Sequence, residues 1–395
     1  MESRRNFIGQ VATGVATGTF LTAADRVRAG IIGFGDRGAE LANHIRACPN
    51  AELAAVSDVF NRHLERATSL GAAAYSDYRR MLDDRSIDAV IVATPQHLHA
   101  EQFCAALAAG KHVYQERTMA FTVEHARAMR TALGNSGRIV QVGHQACSSA
   151  QMSDVRHFLS DRRRMGRITA IRMDHFRNSP AGKPQWSRAA RMTADVNARN
   201  VDWRAFLGDA PAREFDARRY VNWRLYSDYS GGSVSENMSQ QIAFWYQALN
   251  LQIPRAASMR GGIYLWKDGR EIPDTMTVAL EQPEDLLITW NSGFGNNHPG
   301  IVEDVLGDHG TISRSHQVRY LPQKINRPEG NEMAGRLTSV PHAHMQNFFD
   351  AIRGAAKPNC PFETGYRVSI ACRMALESHR LGRTVYWDAA KEEIV

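Results

Sequence analysis

A glutamate and an arginine stand side by side where an apolar strand pattern ends. Residues 111–114 have the pattern of a short strand, and Glu116 and Arg117 follow it closely. Ligands of parallel sheets bind beyond the carboxyl ends of the strands, so both side chains are predicted to line a pocket. Arginine keeps its proton at any ordinary pH. Arg117 can therefore bind and orient an oxygen atom, but it cannot be the base in a proton transfer.

A glycine-rich turn near the start of the chain carries a second chemistry. It has the spacing GxGxxG, directly after a strand pattern at residues 27–32 and before a helix pattern at 39–47. Its glycines allow a tight turn, a close approach of backbone to a pyrophosphate, and close helix–strand packing. The helix N-terminus then offers free N–H groups to the phosphates. The turn predicts a dinucleotide site with these contacts: Gly33, Phe34, Gly35, Arg37 and Gly38.

Two further stretches at strand ends belong to the same predicted site. Asp58 lies about 20 residues beyond the glycine turn, where an acid accepts hydrogen bonds from the ribose hydroxyls. A carboxylate there repels a 2′-phosphate, so NAD is favoured over NADP, although Arg62 close behind keeps NADP open. A turn after the third strand pattern also faces this edge, and its histidines either touch the cofactor or bond locally at a helix N-terminus. The turn supplies Thr94, Pro95, His97 and His99.

The patterns of strands and helices predict two domains. Over residues 25–148 short apolar runs alternate with amphipathic stretches, which is typical of βαβ units and a parallel sheet. Over residues 149–395 the strand patterns become longer and alternate, and all seven tryptophans lie there. The fold class is therefore predicted to be α/β, with a dinucleotide-binding domain followed by an α+β domain on an open, largely antiparallel sheet.

Residues 1–24 are predicted to be an export signal. Arg4 and Arg5 precede a mildly apolar run that ends in the small residues Ala23 and Ala24. This pattern is typical of a twin-arginine leader, which carries folded cargo, and a frayed N-terminal helix is the alternative. The run is too short to span a membrane, and no other candidate span is present. We expect a periplasmic or otherwise exported protein.

The overall composition restricts the classes of function. The 395 residues are 43% hydrophobic and 23% charged, as in an ordinary globular protein. The formal charge of +7 comes from dispersed basic residues, without the aromatic-interleaved stripe of a single-strand binder, so no nucleic-acid partner is predicted. Five cysteines without a CxxC spacing indicate neither a metal site nor a disulfide framework.

Together these motifs resemble those of the glucose–fructose oxidoreductase/inositol dehydrogenase (Gfo/Idh/MocA) family. The similarity runs from the glycine turn to the end of the chain and includes residues 94–99, the run 110–113 into Glu116, and Gly231 and Gly232 before a helix. It implies a Rossmann domain, a sheet that covers the substrate, and NAD(P)-linked oxidation or reduction of a sugar or cyclitol. Some members carry their cofactor out of the cytoplasm behind a twin-arginine leader. We also expect a homo-oligomer, a dimer or tetramer.

The chain departs from the family at the residues that do the chemistry. Arg117 and Thr118 stand where the family has the Lys and Pro of Glu-Lys-Pro. The family's Asp-x-x-x-His aligns with Glu236 and Gln240, whose spacing keeps both on one helix face, yet glutamine cannot exchange a proton as histidine does. Beyond Gln145, which the resemblance places near the cofactor, a family basic position is filled by Ala146–Cys147.

Proton removal must then fall to another group. Glu236 is favoured by alignment and His175 by the usual pKa range of histidine, with Tyr226 and His298 as further candidates. Each has a structural alternative: Glu236 simply pairs with an arginine, and His175 lies on a strand surface. Aromatic and arginine side chains in this half are typical of sugar clefts, although most are expected in the core. They are Trp186, Trp223, Arg224 and Tyr226.

Three functions are compatible with these residues. The first is an exported NAD-dependent oxidoreductase that acts on a sugar, cyclitol or glycoside hydroxyl and holds its cofactor tightly. The second is an NAD-dependent glycoside hydrolase or lyase, in which transient oxidation of the ring permits elimination at the neighbouring carbon. The third is a non-catalytic sugar- or cofactor-binding protein, suggested by the absence of the family's Lys and His.

Overall fold

The computed structural model describes residues 26–179, 182–325, 333–334 and 340–395. The predicted leader, residues 1–24, lies outside this part of the chain. Among the described helices, none is both long enough and apolar enough to cross a membrane.

The first domain is built on a six-stranded parallel sheet, as predicted. Its strands follow the order β3-β2-β1-β4-β5-β6. The interior strands are almost continuously buried, because helices cover both faces of a parallel sheet. The strands are β1 Val27–Ile32, β2 Ala51–Ser57, β3 Ala73–Tyr75, β4 Ala89–Val92, β5 His112–Gln115 and β6 Val140–Val142. The helices are α1 Asp36–Ala47, α2 Asn61–Ser69, α3 Tyr78–Leu82, α4 His99–Ala108 and α5 Val123–Gly134.

The strand order reverses between β1 and β4, which lie side by side although β2 and β3 separate them along the chain. In open α/β sheets the ligand crevice opens at such a switch point, beyond the carboxyl ends of the strands. The glycine turn after β1 and the turn after β4 therefore face the same crevice.

The second domain is built on a ten-stranded mixed sheet that is mostly antiparallel, again as predicted. Among the described strand pairs, β7 and β10 run parallel and the others antiparallel. The order is β14-β13-β12-β11-β7-β10-β9-β8-β15-β16. The strands are β7 Ile168–Phe176, β8 Ala256–Gly262, β9 Thr275–Glu281, β10 Leu287–Gly293, β11 Ile301–Gly307, β12 Gly310–Arg314, β13 Val318–Pro322, β14 Met333–Ala334, β15 Val385–Asp388 and β16 Glu393–Ile394.

Helices and short turns cover one side of this sheet and reach back to the first domain. The helices are α6 Ala150–Ser160, α7 Arg162–Met165, α8 Trp203–Leu207, α9 Ala217–Val221, α10 Ser239–Leu249, α11 Ala343–Ile352 and α12 Phe362–Leu381. A π-helical turn, Val234–Met238, runs directly into α10. Trp245 on α10 and Trp290 on β10 are fully buried where helix and sheet meet.

The two C-terminal helices pack against elements of the first domain. On α11, Phe348 and Phe349 join the apolar cluster that contains Leu41 of α1. On α12, a Cβ at Gly365 would lie 2.6 Å from Cγ2 of Val142, so glycine permits the close approach of α12 to β6. The proposed division of the chain at residues 148/149 stays a prediction, because α11 and α12 lie on the first domain as well as the second.

Candidate functional site

The glycine turn has the backbone geometry that the motif predicts. Gly33 has φ +90°, and a Cβ there would lie 2.8 Å from the amide nitrogen of Thr94. A Cβ at Gly38 would lie 2.1 Å from the carbonyl oxygen of Gly33. Both positions therefore require glycine, which fixes α1 against β1 and β4. Gly35, which precedes α1, has no atom within 4 Å of the position of a Cβ, so open space lies beside the helix N-terminus.

Asp58 sits directly beyond β2 and holds the glycine turn from the side. Its carboxylate is buried and accepts hydrogen bonds from the backbone N–H of Phe34 and, at 2.9 Å, from that of Phe60. His63 Nδ1 lies 3.1 Å from the same oxygen that Phe60 contacts. A carboxylate has about four lone-pair sites, so it retains capacity to accept from a ribose hydroxyl.

A cavity of about 570 Å³ runs along the strand ends between the two domains. One wall consists of the glycine turn, Asp58, Thr94 and Pro95. The opposite wall comes from residues 188–224 of the second domain, including Phe206 and Trp223. The cavity therefore joins the predicted pyrophosphate and ribose contacts in one cleft, with a cover that the motifs alone do not predict.

Arg37 and Glu116 connect the glycine turn to the end of β5. Arg37 lines the cavity, but its guanidinium is bound to carboxylates: Nε donates to Glu116 at 2.8 Å and Nη1 lies 2.7 Å from Glu40. Burial alone would raise the pKa of Glu116, but Arg37 and Arg117 outweigh burial and lower it to about 2. Glu116 is therefore a fixed negative charge and not a proton carrier.

Glu116 also orients the two other predicted residues at this end of the cleft. The Arg117 backbone N–H and Nη1 donate to Oε2 at 3.0 and 3.1 Å, and Gln145 Nε2 donates to Oε1 at 3.2 Å. Gln145 reaches Tyr114 as well, at 2.8 Å. The Nε of Arg117 is buried and has no hydrogen-bond partner within the described residues. Arg117 thus keeps a free donor beside a carboxylate that fixes its position.

The residue after Arg117 ties this strand end to the π-helical turn of the second domain. The Thr118 hydroxyl donates to the carbonyl of Ser235, which directly precedes Glu236. Glu236 Oε1 accepts a hydrogen bond from Gln96 Nε2 at 3.1 Å, and its Oε2 lies 3.3 Å from Arg224 Nε. The hydrogen bond between Thr118 and Ser235 therefore brings the segments that carry Arg117 and Glu236 together, beside the cavity but outside the residues that line it.

Gln240 and Arg224 complete the surroundings of Glu236. Gln240 Nε2 donates to the backbone carbonyl of Glu236 at 3.2 Å, which is a contact along the helix rather than with the Glu236 carboxylate. Arg224 lies over the ring of Trp223, with Cζ 4.1 Å from the ring centroid, and both line the cavity. The alternative noted for Glu236, pairing with an arginine, is present, yet the Glu236 side chain is still 12% exposed.

The other base candidates are placed less favourably. His175 is buried on β7, and burial, followed by the charge of Arg177, lowers its pKa to about 4. That pKa removes the reason for choosing His175, because a general base works best when its pKa is near the working pH. Tyr226 lies under Arg219 in an apolar cluster, and burial raises its pKa. His298 is exposed beside a cis peptide bond to Pro299.

The histidines of the turn after β4 do not line the cavity. Their ring nitrogens contact backbone carbonyls instead. His97 Nε2 donates to the carbonyl of Phe206 at 2.8 Å, which joins the two domains. His99 places its ring nitrogens 2.9 Å from the carbonyls of Thr118 and Thr94. Burial lowers the pKa of His99, so the ring is neutral and donates to one of these carbonyls. The local alternative therefore describes His99, which begins α4, whereas the contact of His97 is with the other domain.

Three features of the site are absent from the sequence predictions. Gln96 binds both Glu236 and the backbone of Gly231. His144, just beyond β6, is buried with both ring nitrogens unpaired in the described structure, and burial followed by the Arg117 charge lowers its pKa to about 3. Arg188 and Arg191 both bind Asp36 at the start of α1. Position at a strand end could have indicated Gln96 and His144, whereas nothing local indicates the two arginines.

Comparison with known proteins supports this account of the first domain. Residues 27–144 match the model of the GFO_IDH_MocA family, described as an oxidoreductase family with an NAD-binding Rossmann fold. A levoglucosan dehydrogenase of Pseudarthrobacter phenanthrenivorans is 30% identical over 267 residues, which are 65% of this chain and 57% of the relative. A 1,5-anhydro-D-fructose reductase of Ensifer adhaerens is 31% identical over 176 residues, 42% of this chain and 52% of the relative. The chain thus spans little more than half the length of these relatives.

Solved structures resemble the whole described fold. A levoglucosan dehydrogenase in complex with NADH and levoglucosan has a TM-score of 0.69 at 18% identity and covers 94% of this chain and 99% of its own. The protein GenD2 from gentamicin A biosynthesis, in complex with NAD, has a TM-score of 0.69 at 17% identity, with coverages of 92% and 97%. At these identities the likeness shows the two-domain fold. Residues 27–144 of the chain therefore match an oxidoreductase family with an NAD-binding Rossmann fold, and the described residues share the two-domain fold of these solved structures.

Proposed function

We propose that the protein is an NAD-linked oxidoreductase that acts on a hydroxyl group of a sugar, cyclitol or glycoside. The observation that carries the proposal is the cleft, which is lined by a family-type glycine turn and Asp58, and whose lining residues Arg37 and Arg224 contact Glu116 and Glu236. The residues fit a dinucleotide, because open space beside Gly35 meets the N-terminus of α1. The relatives' names supply the carbohydrate class of substrate.

NAD is the proposed form of the cofactor, with NADP as the weaker candidate. Asp58 offers a buried carboxylate at the end of β2, which would accept from ribose hydroxyls and repel a 2′-phosphate. Arg62 is the residue that leaves NADP as an alternative cofactor. It lies 3.3 Å from Asp195 and is thus paired with a carboxylate.

Near the end of β5, Arg117 and Glu236 would have different roles in the reaction. When bound, NAD supplies the acceptor for a hydride from a carbinol carbon. Arg117, whose side chain is 18% exposed, would hold the substrate oxygen, while Glu116 fixes the guanidinium. Glu236 would accept the hydroxyl proton as the carbon is oxidised, and Arg224 and Gln96 would hold its carboxylate in place. General-base catalysis of this type contributes roughly 10²–10⁴-fold.

The test combines cofactor binding with a substrate panel. Ligand released from the purified protein is identified by mass, and NAD and NADP are titrated by calorimetry. Levoglucosan, 1,5-anhydro-D-fructose and inositols are then screened at the nicotinamide absorbance, with Glu236→Gln as the matched variant. NAD binding supports the proposal if levoglucosan or an inositol reduces NAD, or if 1,5-anhydro-D-fructose oxidises NADH. Absence of NAD and NADP binding would overturn it.

The same panel separates the other two functions. Release of the aglycone from chromogenic glycosides without net NADH would indicate the hydrolase or lyase, and binding without isotope exchange at any sugar carbon would indicate a non-catalytic protein. Among the described residues, none of the observed contacts favours either over the oxidoreductase.

Export and assembly form a separate part of the proposal. We infer from the sequence that residues 1–24 direct twin-arginine export and that the mature protein is periplasmic. Changing Arg4 and Arg5 to Lys should leave the precursor in the cytoplasm, as detected by fractionation, and undiminished export would contradict this assignment. The expected homo-oligomer is tested by light scattering of the purified protein.

A further inference from the structure

A segment of the second domain, residues 186–209, lies across the cleft and is named here the cover segment. Near Asp58 it forms a short antiparallel bridge with the turn after β2, in which Phe60 pairs with Val201. The Asp202 N–H donates to the Val59 carbonyl at 2.8 Å, and the Asn61 N–H donates to the Asn200 carbonyl at 3.0 Å. The cover segment is therefore fixed by backbone hydrogen bonds next to the predicted ribose contact.

The cover segment is attached at the other side of the cleft as well. His97, in the turn after β4, donates to the Phe206 carbonyl at 2.8 Å. Burial lowers the pKa of His97 to about 4, so the ring is neutral at ordinary pH. Gly208 approaches Leu98 so closely that a Cβ would lie 2.6 Å from the Leu98 Cδ2. The cover segment thus spans the cleft from the end of β2 to the end of β4.

Between these attachments, two arginines of the cover segment reach the glycine turn. Arg188 and Arg191 both donate to the carboxylate of Asp36. Asp36 is the first residue of α1 and follows Gly35, beside which the space is open. Both guanidinium groups therefore stand at the N-terminus of the helix, on the cover side of the place where a pyrophosphate would lie.

A third arginine reaches the turn from the Rossmann side. Arg66 donates to the Phe34 carbonyl and, at 3.4 Å, to the Gly35 carbonyl, and its Cζ lies 4.7 Å from the centroid of the Phe34 ring. Burial lowers the pKa of Arg66 and also that of Arg188, which lies near the charge of Arg224. The turn thus carries more positive charge than Asp36 and Asp58 balance, which favours an anion.

We propose that Arg188 and Arg191 bind the pyrophosphate of the dinucleotide from the second domain and that the cover segment thereby retains the cofactor. The proposal rests on the proposed dinucleotide function. A guanidinium offers a planar fork of donors that matches phosphate oxygens. The backbone N–H groups of α1 face the same anion from the opposite side. Release of the cofactor then requires that the contacts at Asp36, Val59 and His97 open.

The test compares ligands that differ in the pyrophosphate. NAD, ADP-ribose and adenosine are titrated by calorimetry into the full-length protein, into Arg188→Gln/Arg191→Gln, and into Arg199→Gln. Arg199 is an exposed arginine of the same segment and does not line the cavity. Loss of two charge-assisted contacts should weaken NAD and ADP-ribose about a hundredfold and should leave adenosine unchanged. Release of NADH, followed by its fluorescence, should accelerate by a similar factor, and Arg199→Gln should match the unaltered protein.

Several results would overturn the proposal, and they separate it from the proposed function. If the double variant keeps its affinity for ADP-ribose, Arg188 and Arg191 do not bind the pyrophosphate. The proposed dinucleotide function is not affected by that result. An equal loss of affinity for adenosine and ADP-ribose would show that the substitutions change the shape of the site. That result would also contradict the proposal. If the unaltered protein binds neither NAD nor NADP, both proposals fail. Arg188→Lys/Arg191→Lys keeps the charges and should recover part of the affinity, which guards against a variant that merely misfolds.

Discussion

The two ends of the proposed site are the glycine turn and the end of β5. They differ in the groups that would bind cofactor and substrate. At the glycine turn the backbone itself is the binding surface, and Gly33 and Gly38 are required because a Cβ would collide with Thr94 and Gly33. At the β5 end, side chains provide the chemistry, and each is positioned by another side chain: Arg117 by Glu116, and Glu236 by Arg224 and Gln96. Substitution at the first end should therefore act through backbone shape, and at the second end through charge.

The largest effect on dinucleotide binding is expected at the first end, from Gly38→Ala. Its Cβ would lie 2.1 Å from the Gly33 carbonyl oxygen, so α1 must move away from β1. Overpacking of this kind costs about 1–3 kcal/mol of folding free energy, and dinucleotide binding should be lost. Gly35→Ala is the matched control for stability alone, because its Cβ meets no protein atom within 4 Å but enters the space proposed for the pyrophosphate. Urea denaturation and NAD titration measure both, and equal stability losses would contradict the account.

At the second end, Glu116→Gln should cost the most stability. The carboxylate is buried between Arg37 and Arg117, and removal of one partner from a buried ion pair costs about 3–5 kcal/mol. Glu40→Gln is the control, because Glu40 pairs with the same Arg37 but is 55% exposed, and it should cost below about 1 kcal/mol. Comparable losses of stability in the two variants would show that burial of the Glu116 carboxylate does not determine its contribution to folding.

The same pair of variants has a pH signature. The pKa of Glu116 is lowered to about 2 in the folded protein, below its usual value of about 4.3. Its contribution to stability is therefore fully present above the usual value and is lost as pH falls toward 2. Glu116→Gln should reduce the pH dependence of the urea midpoint in that window, and Glu40→Gln should not.

Arg117→Ala tests orientation of the substrate without proton transfer. If its guanidinium binds the developing alkoxide, loss of it should lower single-turnover rates by about 10²–10³-fold at every pH. Arg117→Lys keeps the charge and should lose less. Full activity in Arg117→Ala would mean that the arginine has only a structural role.

The last effect concerns a buried neutral histidine and is confined to acid pH. The pKa of His144 is lowered to about 3 by burial and by Arg117, so its contribution is present above the usual histidine value and is lost as pH falls toward 3. His144→Phe should reduce the acid-dependent loss of stability by up to about 1.4 kcal/mol per pH unit. Exposed His298 supplies the control variant, His298→Gln, and identical acid slopes for the two would refute the assignment.

The sequence predicts the backbone end of the site better than the side-chain end. The spacing of Gly33, Gly35 and Gly38 dictates a turn geometry, and the helix pattern at residues 39–47 lies within α1, Asp36–Ala47. The pairing of Glu236 with Gln96 joins residues 140 positions apart, and such contacts leave no local pattern. The short strand β3 and the π-helical turn around Glu236 are also unpredicted, because three residues and one turn are too short to give a periodicity.

Burial explains the remaining difference between expectation and structure. His175 was a candidate base because histidine usually titrates near neutral pH, but its place on the covered face of β7 lowers its pKa to about 4. The cover segment likewise depends on contacts between residues 59–61 and 200–202, which the order of residues along the chain does not reveal.

The central claim is that hydride transfer in this cleft depends on Glu236 as the base. The most direct test is single-turnover reduction of bound NAD by the identified sugar, measured from acid to alkaline pH for the unaltered protein and for Glu236→Gln. The unaltered protein should lose rate on the acid side, and Glu236→Gln should be slow throughout and lack this limb. An acid limb that survives unchanged in Glu236→Gln would remove Glu236 from the role.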